Sequence, residues 1–158
     1  MSLPSLRNEL HLFPKLIEAS NFFFKSKFDQ SYNCIAWAII QNNIWVDAVE
    51  GNFDGIFWPD NIQKGYTYNH LIELFQNYEY VKCGSSSFED GFMKVALYGD
   101  NQKWTHASRQ LPNGNWTSKM GILEDIEHLT PHDLEGQGYG SVFQIMKRPN
   151  SSYKSKTI

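Results

Sequence analysis

Few residues in this chain can do covalent chemistry. There are two cysteines, Cys34 and Cys83, and five histidines, of which His106, His128 and His132 lie in clearly patterned segments. Cys34 follows Asn33, a helix-capping residue type, and opens the run CIAWAII, so its thiol falls in the first turn of a helix. Unpaired backbone N–H groups and the positive end of the helix dipole meet there, and both favour a thiolate. A thiolate attacks carbonyl carbon, provided that a base takes its proton and a third group holds the base. Cys83 stands at a strand end before GSSSFEDG, without such surroundings, and reads as a structural thiol. An alkylating reagent is therefore expected to reach Cys34 first.

The candidate base is His106, in the string THASRQ. Strand alternation puts Trp104, Ser108 and Gln110 on its face and Thr105, Ala107 and Arg109 on the other. The Asn-Gly pair inside PNGN predicts a hairpin joining this strand to WTSKM. A two-residue turn would set Thr117 and Lys119 on the His106 face, and a three-residue turn with a bulge would set Ser118 there. Only a hydroxyl among these can accept an imidazole N–H; the Lys119 ammonium cannot.

His128 and His132 are spaced to share a helical face, which raises metal ligation, but Pro131 interrupts that helix and no third ligand stands at zinc-site spacing. No metal and no cofactor is expected. The run ILEDIEH reads instead as a short solvated helix with Glu124, Asp125 and His128 exposed, and with Lys119 pairing to Asp125 or Glu124 to brace the hairpin.

The elements that would position these residues are legible from periodicity. Residues 4–25 read as one or two helices broken at Pro14, burying Leu10, Phe13, Leu16, Ile17 and Phe22 to Phe24. A helix is expected from about Tyr68 to Asn77, with Leu71, Ile72 and Phe75 on one stripe and Thr67 or Asn69 as its cap. YEYVKC, KVALYGD, KWTHASRQL, WTSKM and SVFQIMKR then follow a period of two and predict an antiparallel sheet. The fold class is α+β, with N-terminal helices packed on the sheet. With 158 residues, 41% of them hydrophobic, one domain over 1–148 is expected, followed by a polar tail over 149–158 that frays. The aromatic residues Trp45, Phe53, Phe57 and Trp58, between the two helices, suit a core-covering loop and the wall of a substrate cleft equally well.

Composition excludes several classes. Fourteen basic against seventeen acidic side chains leave a net charge of -3 and no basic stripe, so no nucleic-acid partner is expected. No apolar run approaches the roughly 20 residues that cross a bilayer, so no membrane partner is expected either. No secretory signal pattern is visible, and free thiols in a chain of this size fit a reducing cytoplasm, with export by a dedicated machine left open.

The order of cysteine on a helix start, histidine on a later strand and a polar residue on the adjacent strand resembles the papain-like superfamily, in its NlpC-type and CHAP-type branch of bacterial cell-wall peptidases and amidases. The resemblance spans Tyr32 to about Arg148. Ser118 stands about where that branch carries its third polar residue, usually histidine, asparagine or glutamine. The strings YNCIAWA, KVALYGD, THASRQL, WTSKMG and DIEH also resemble an uncharacterised bacterial domain family. The superfamily resemblance implies a papain-like fold and a hydrolase that cleaves an amide or peptide bond through a thioester. In it Cys34 attacks, His106 accepts and then delivers the proton, and Ser118 orients the imidazole. The Cys34 N–H and a side chain from Gln30 or Tyr32 would form an oxyanion hole, and Trp58 would meet the substrate. The same scaffold also implies a deamidase or acyltransferase-type effector, or a non-catalytic interaction module, as alternatives.

Overall fold

The computed structural model describes residues 5–26, 32–39, 45–49 and 56–155. Helix α1 (Cys34–Ala38) begins where its cap predicts. The Asn33 Oδ1 accepts the N–H of Ala36 at 3.1 Å and that of Val46 at 3.1 Å, while its Nδ2 donates to the Val46 carbonyl at 2.8 Å. One side chain thus caps the helix and ties it to strand β2 (Trp45–Val46), which pairs in parallel with β3 (Ile56–Phe57). Helix α2 (Tyr68–Asn77) is capped by Thr67 and buries Leu71, Ile72 and Phe75, the stripe read from the sequence, together with Leu74.

The remaining strands form one seven-stranded sheet. They are β1 (Phe22–Phe24), β4 (Val81–Cys83), β5 (Phe92–Asp100), β6 (Lys103–Gln110), β7 (Trp116–Lys119), β8 (Asp125–His128) and β9 (Ser141–Pro149). Their order is β1-β8-β7-β6-β5-β9-β4, with every neighbouring pair antiparallel. The protein is therefore α+β and mostly sheet. Each face carries its own core. On one face Val95, Leu97 and Ala107 pack with Cys34 and Ile35 of α1 and with Leu71 and Phe75 of α2. On the other, Ala96, Tyr98, Trp116 and Ile126 pack with Leu6, Phe13 and Leu16 of the N-terminal segment. Strand β5 lies between the two cores, which is why Met93 to Gly99 are buried without alternation.

Four expectations need correction. The N-terminal segment holds a 3-10 helix, Leu6–Leu12, but Phe22–Phe24 is an edge strand whose ladder with β8 overrides local helix preference. Ile17, expected inside, is 61% exposed, and Phe23 points outward from the edge strand at 44%. The run DIEH is not a solvated helix. It is β8, held between β7 and β1 after a turn in which Gly121 adopts φ +64°, and Asp125 and His128 are buried. The tail expected to fray is held as far as Ser155: Tyr153 is buried, its hydroxyl donates to the Gln110 carbonyl at 2.6 Å, and the exposed Ser155 hydroxyl donates to Asp90.

The hairpin takes the expected form with a three-residue turn, Gly114 at φ +91°, and Ser118 on the side of the sheet that holds His106 and His128. The Leu111 N–H donates to the Asn115 carbonyl at 2.7 Å, leaving Pro112, Asn113 and Gly114 in the turn, and Arg109 pairs with Thr117. Pro112 has no N–H to offer the ladder, so the last backbone donor before the turn is Leu111. The β6–β7 ladder consists of Arg109–Thr117 and Gln110–Trp116, so no β7 residue is paired across from His106. A bulge after Tyr98 alters the faces of β6 as well. Tyr98 pairs with His106 but Gly99 pairs with Trp104, which turns Trp104 to the α1 side and leaves His106 on the other.

Candidate active site

Cys34 is the first residue of α1 and is 7% exposed. Its sulfur is turned to the N–H groups of Ala107 and Ile35, both of which favour the thiolate. Burial outweighs them and, with a smaller contribution from the Asp47 carboxylate, pushes the thiol pKa up to about 11. A helix of five residues offers a weak dipole, so loss of water decides the balance. At pH 7 a thiol of this pKa is ionised in roughly one molecule in ten thousand. Cys83 is half-buried, on an edge strand. Iodoacetamide at pH 7.5 is therefore expected to alkylate Cys83 well before Cys34, the reverse of the order the sequence suggests, with peptide mass spectrometry reporting the order. Faster labelling of Cys34 would show that the thiol is not held as burial dictates.

His106 is fully buried. Its ring stacks on Tyr139, with centroids 3.9 Å apart and planes 5° from parallel, and meets Tyr98 edge-on at 5.1 Å. Neither ring nitrogen has a hydrogen-bond partner among the described residues, the Cys34 sulfur included. Burial, and secondarily the neighbouring His128, hold the imidazole pKa well below its ordinary value. Cys34 and His106 thus meet β6 at consecutive residues but from opposite sides. The sulfur lies at the Ala107 N–H on the α1 side, whereas the imidazole lies among the aromatic rings of the other face. Both groups are neutral at rest.

Ser118 does not orient His106. Its hydroxyl lies 2.8 Å from the Nε2 of His128, whose Nδ1 lies 2.9 Å from the Thr130 carbonyl. A carbonyl only accepts, so Nδ1 carries the proton, Nε2 is bare, and the Ser118 hydroxyl donates to it. The reason is register: β7 and β8 pair Trp116 with His128 and Ser118 with Ile126, which makes Ser118 and His128 diagonal neighbours on one face. Burial lowers the His128 pKa to about 4, against the opposing pull of the Thr130 carbonyl, and keeps the ring neutral in its role as acceptor. His132 lies beyond Pro131, which interrupts the shared helical face as expected, and faces Glu135 at 3.2 Å. Lys119 donates to the carbonyls of Gly121 and Leu123, and Glu124 accepts from Ser5 and the Leu6 N–H, so each braces the turn or the N-terminal helix.

Of the residues named for oxyanion or substrate contact, Gln30 lies outside the described residues, as does Phe53 of the aromatic group. Tyr32 is buried beside Trp37, with the Lys119 ammonium 5.0 Å from its ring centre. Trp58 is 5% exposed, stacks on Trp104 at 6.3 Å and donates to the Ile62 carbonyl. With Phe57 and Asp47 it also lines a recess of about 260 Å³, so it serves both as core and as wall.

Sequence reasoning missed Tyr139. The string GQGYG was its signal: Gly136 and Gly140 exchange N–H to carbonyl bonds in both directions, and the Gly138 N–H donates to the Leu12 carbonyl at 3.0 Å. The Thr105 hydroxyl donates to the Tyr139 carbonyl at 2.6 Å, which fastens this loop to β6 beside His106. Burial, followed by the nearby Cys34 and Tyr98, raises the Tyr139 phenol pKa well above its ordinary value, so the phenol is neutral next to both candidate groups.

A sequence model with the description Domain of unknown function (DUF7689) matches residues 24–147, which include Cys34, His106, Ser118, His128 and Tyr139. No curated protein and no solved structure matches the chain. The match covers far more than half of the sequence, and the chain belongs to the family Domain of unknown function (DUF7689).

Proposed function

We propose that the protein is a cysteine hydrolase of papain-like type, acting on an amide or peptide bond, with Cys34 as nucleophile and His106 as general base. The observation that carries this reading is a buried, unbonded imidazole on the strand residue that precedes Ala107, whose N–H faces the thiol. Both His106 nitrogens lack partners among the described residues, while the Cys34 sulfur sits against the N–H of the next residue, Ala107. Leaving a buried polar group unpaired costs on the order of 1–3 kcal/mol, and such a group invites a role in which a partner arrives. The order of elements supports the reading too: a helix opening on the cysteine is packed against the histidine-bearing strand of an antiparallel sheet.

In this reading the thiol and imidazole are neutral until substrate enters. The Cys34 sulfur forms a bond to the carbonyl carbon as His106 takes the thiol proton. The C–N bond then breaks, the amine leaves with that proton, and a thioester remains. Water attacks the thioester, releasing the acid and restoring the thiol. An amine in place of water would make the same pair an acyltransferase, and a glutamine side chain as substrate would make it a deamidase.

An activated ester tests the pair without knowledge of the substrate. Incubation with p-nitrophenyl acetate is expected to acetylate Cys34 besides the more accessible Cys83, located by peptide mass spectrometry, with His106→Gln slowing the acylation of Cys34, and not that of Cys83, about 100-fold. Acetylation of Cys83 alone, or of no residue, would overturn the proposal. A second reading, a non-catalytic interaction module of the same fold, is favoured by the thiol pKa of about 11 and by the absence of a Cys34–His106 hydrogen bond. It requires that His106→Gln, checked to be folded by circular dichroism, leave the acylation rate unchanged.

A further inference from the structure

Beside Tyr139 a groove of about 350 Å³ opens between the N-terminal 3-10 helix and the turn joining β7 to β8. Phe13, Met120, Ile122, Leu123 and Tyr139 line it. Two of its lining residues are glycines. Gly121 sits at φ +64° in the turn, and a Cβ on Gly138 would stand 2.5 Å from the Phe13 ring, so side chains here would close the space. The volume is within the roughly 300–1,000 Å³ range of small-ligand sites, at the end that suits a single large side chain.

What distinguishes this groove from an ordinary surface depression is one residue of its wall. Tyr139 stacks flat on the unbonded His106 ring and packs at 5.1 Å on Phe13, so the groove is separated from the imidazole by one ring. A group seated there lies one ring away from the imidazole that serves as base in the hydrolase reading. The wall is apolar, and Glu9 is the one charged side chain among the described lining residues. A carboxylate at the rim repels acidic groups, whereas leucine or phenylalanine would gain by leaving water.

We propose that this groove binds an apolar side chain of a peptide or amide substrate and selects it over an acidic one. The proposal rests on the hydrolase reading for the word substrate, but the binding can be measured separately. N-acetyl-leucinamide and N-acetyl-phenylalaninamide, titrated into the full chain and followed by two-dimensional amide NMR, are expected to shift the signals of residues 120–123 and 138–139. N-acetyl-aspartic acid amide is expected to leave them in place. Ile122 is 38% exposed, so Ile122→Glu should fold normally, and it should weaken leucinamide binding at least tenfold.

Shifts confined to other residues, or equal binding of the leucine and aspartic acid probes, would overturn the inference. So would concentration-dependent shifts of this turn without any probe, which would mean that a second copy of the chain fills the groove. Cys34→Ser separates the two claims, because it should bind leucinamide as the parent does. Binding without acylation of Cys34 by the activated ester would overturn the hydrolase reading alone, and acylation with no selective binding would overturn the groove alone.

Discussion

A Gly140→Ala variant is expected to lose at least about 4 kcal/mol of folding stability, a large part of what a domain of this size possesses. Two costs coincide. The residue sits at φ +76°, where an L side chain is strained by about 1–3 kcal/mol. An alanine Cβ would also lie 2.2 Å from the Gly99 carbonyl oxygen and 2.7 Å from its carbon. Those atoms belong to β5, which is hydrogen-bonded on both sides, to β6 and β9, and cannot withdraw. Gly91→Ala is the control. It has a similar φ of +82° but nothing within 4 Å of a built Cβ, so it should show the backbone strain without the collision. Urea unfolding of both variants measures the difference. Equal losses would mean that the loop carrying Tyr139 is free to move away from β5, and that its hold on His106 is loose.

Stability is expected to fall by 3 kcal/mol or more, by rough linkage arithmetic, between pH 6.5 and pH 4. The sign follows from the direction of the shifts. His128 has a folded pKa of about 4 against about 6.5 when exposed, and His106 is lowered in the same direction, both chiefly by burial. Between those values the unfolded chain binds protons that the folded chain refuses. The contribution is therefore complete above pH 6.5 and lost as the pH falls towards the folded values. Carboxylates that the fold ionises more readily, such as Glu127 and Glu135, add their own loss only at lower pH, so the interval from pH 6.5 to 5 reports the histidines. Urea midpoints at pH 7.5, 6.5, 5.5, 5 and 4 measure the effect. A His128→Asn variant should be less stable at pH 7.5 yet show a shallower decline. A flat profile down to pH 5 in the parent protein would mean that both rings take up protons in the folded state.

Features governed by neighbours in sequence were legible from the start. Asn33 and Thr67 mark the starts of α1 and α2, because a cap bonds to groups within three residues. The stripe of Leu71, Ile72 and Phe75 and the hairpin at Asn113–Gly114 are equally local signals. Phe22–Phe24 is a strand only through its pairing with β8, and Asp125–His128 is a strand because β7 and β1 hold it on both sides. Phe22 pairs with His128 and Phe24 with Ile126, and no local pattern in either run announces a partner so far along the chain.

The sequence alone determined that Cys34 opens a helix and that His106 lies on a strand of an antiparallel sheet, since caps and a period of two act over a few residues. Tertiary structure decided what those positions mean chemically. A bulge after Tyr98 moved Trp104 away from the face of His106, and the register of β7 on β8 gave Ser118 to His128. Packing of both cores took water from the thiol and the imidazole. A pKa depends on the solvent and charges around a group, and burial outweighed a short helix dipole to leave Cys34 a thiol. Only the folded chain set Tyr139 flat against His106, because the Gly136–Gly140 loop is held to β6 by Thr105 and to the N-terminal segment by the Leu12 carbonyl, contacts between residues remote in sequence.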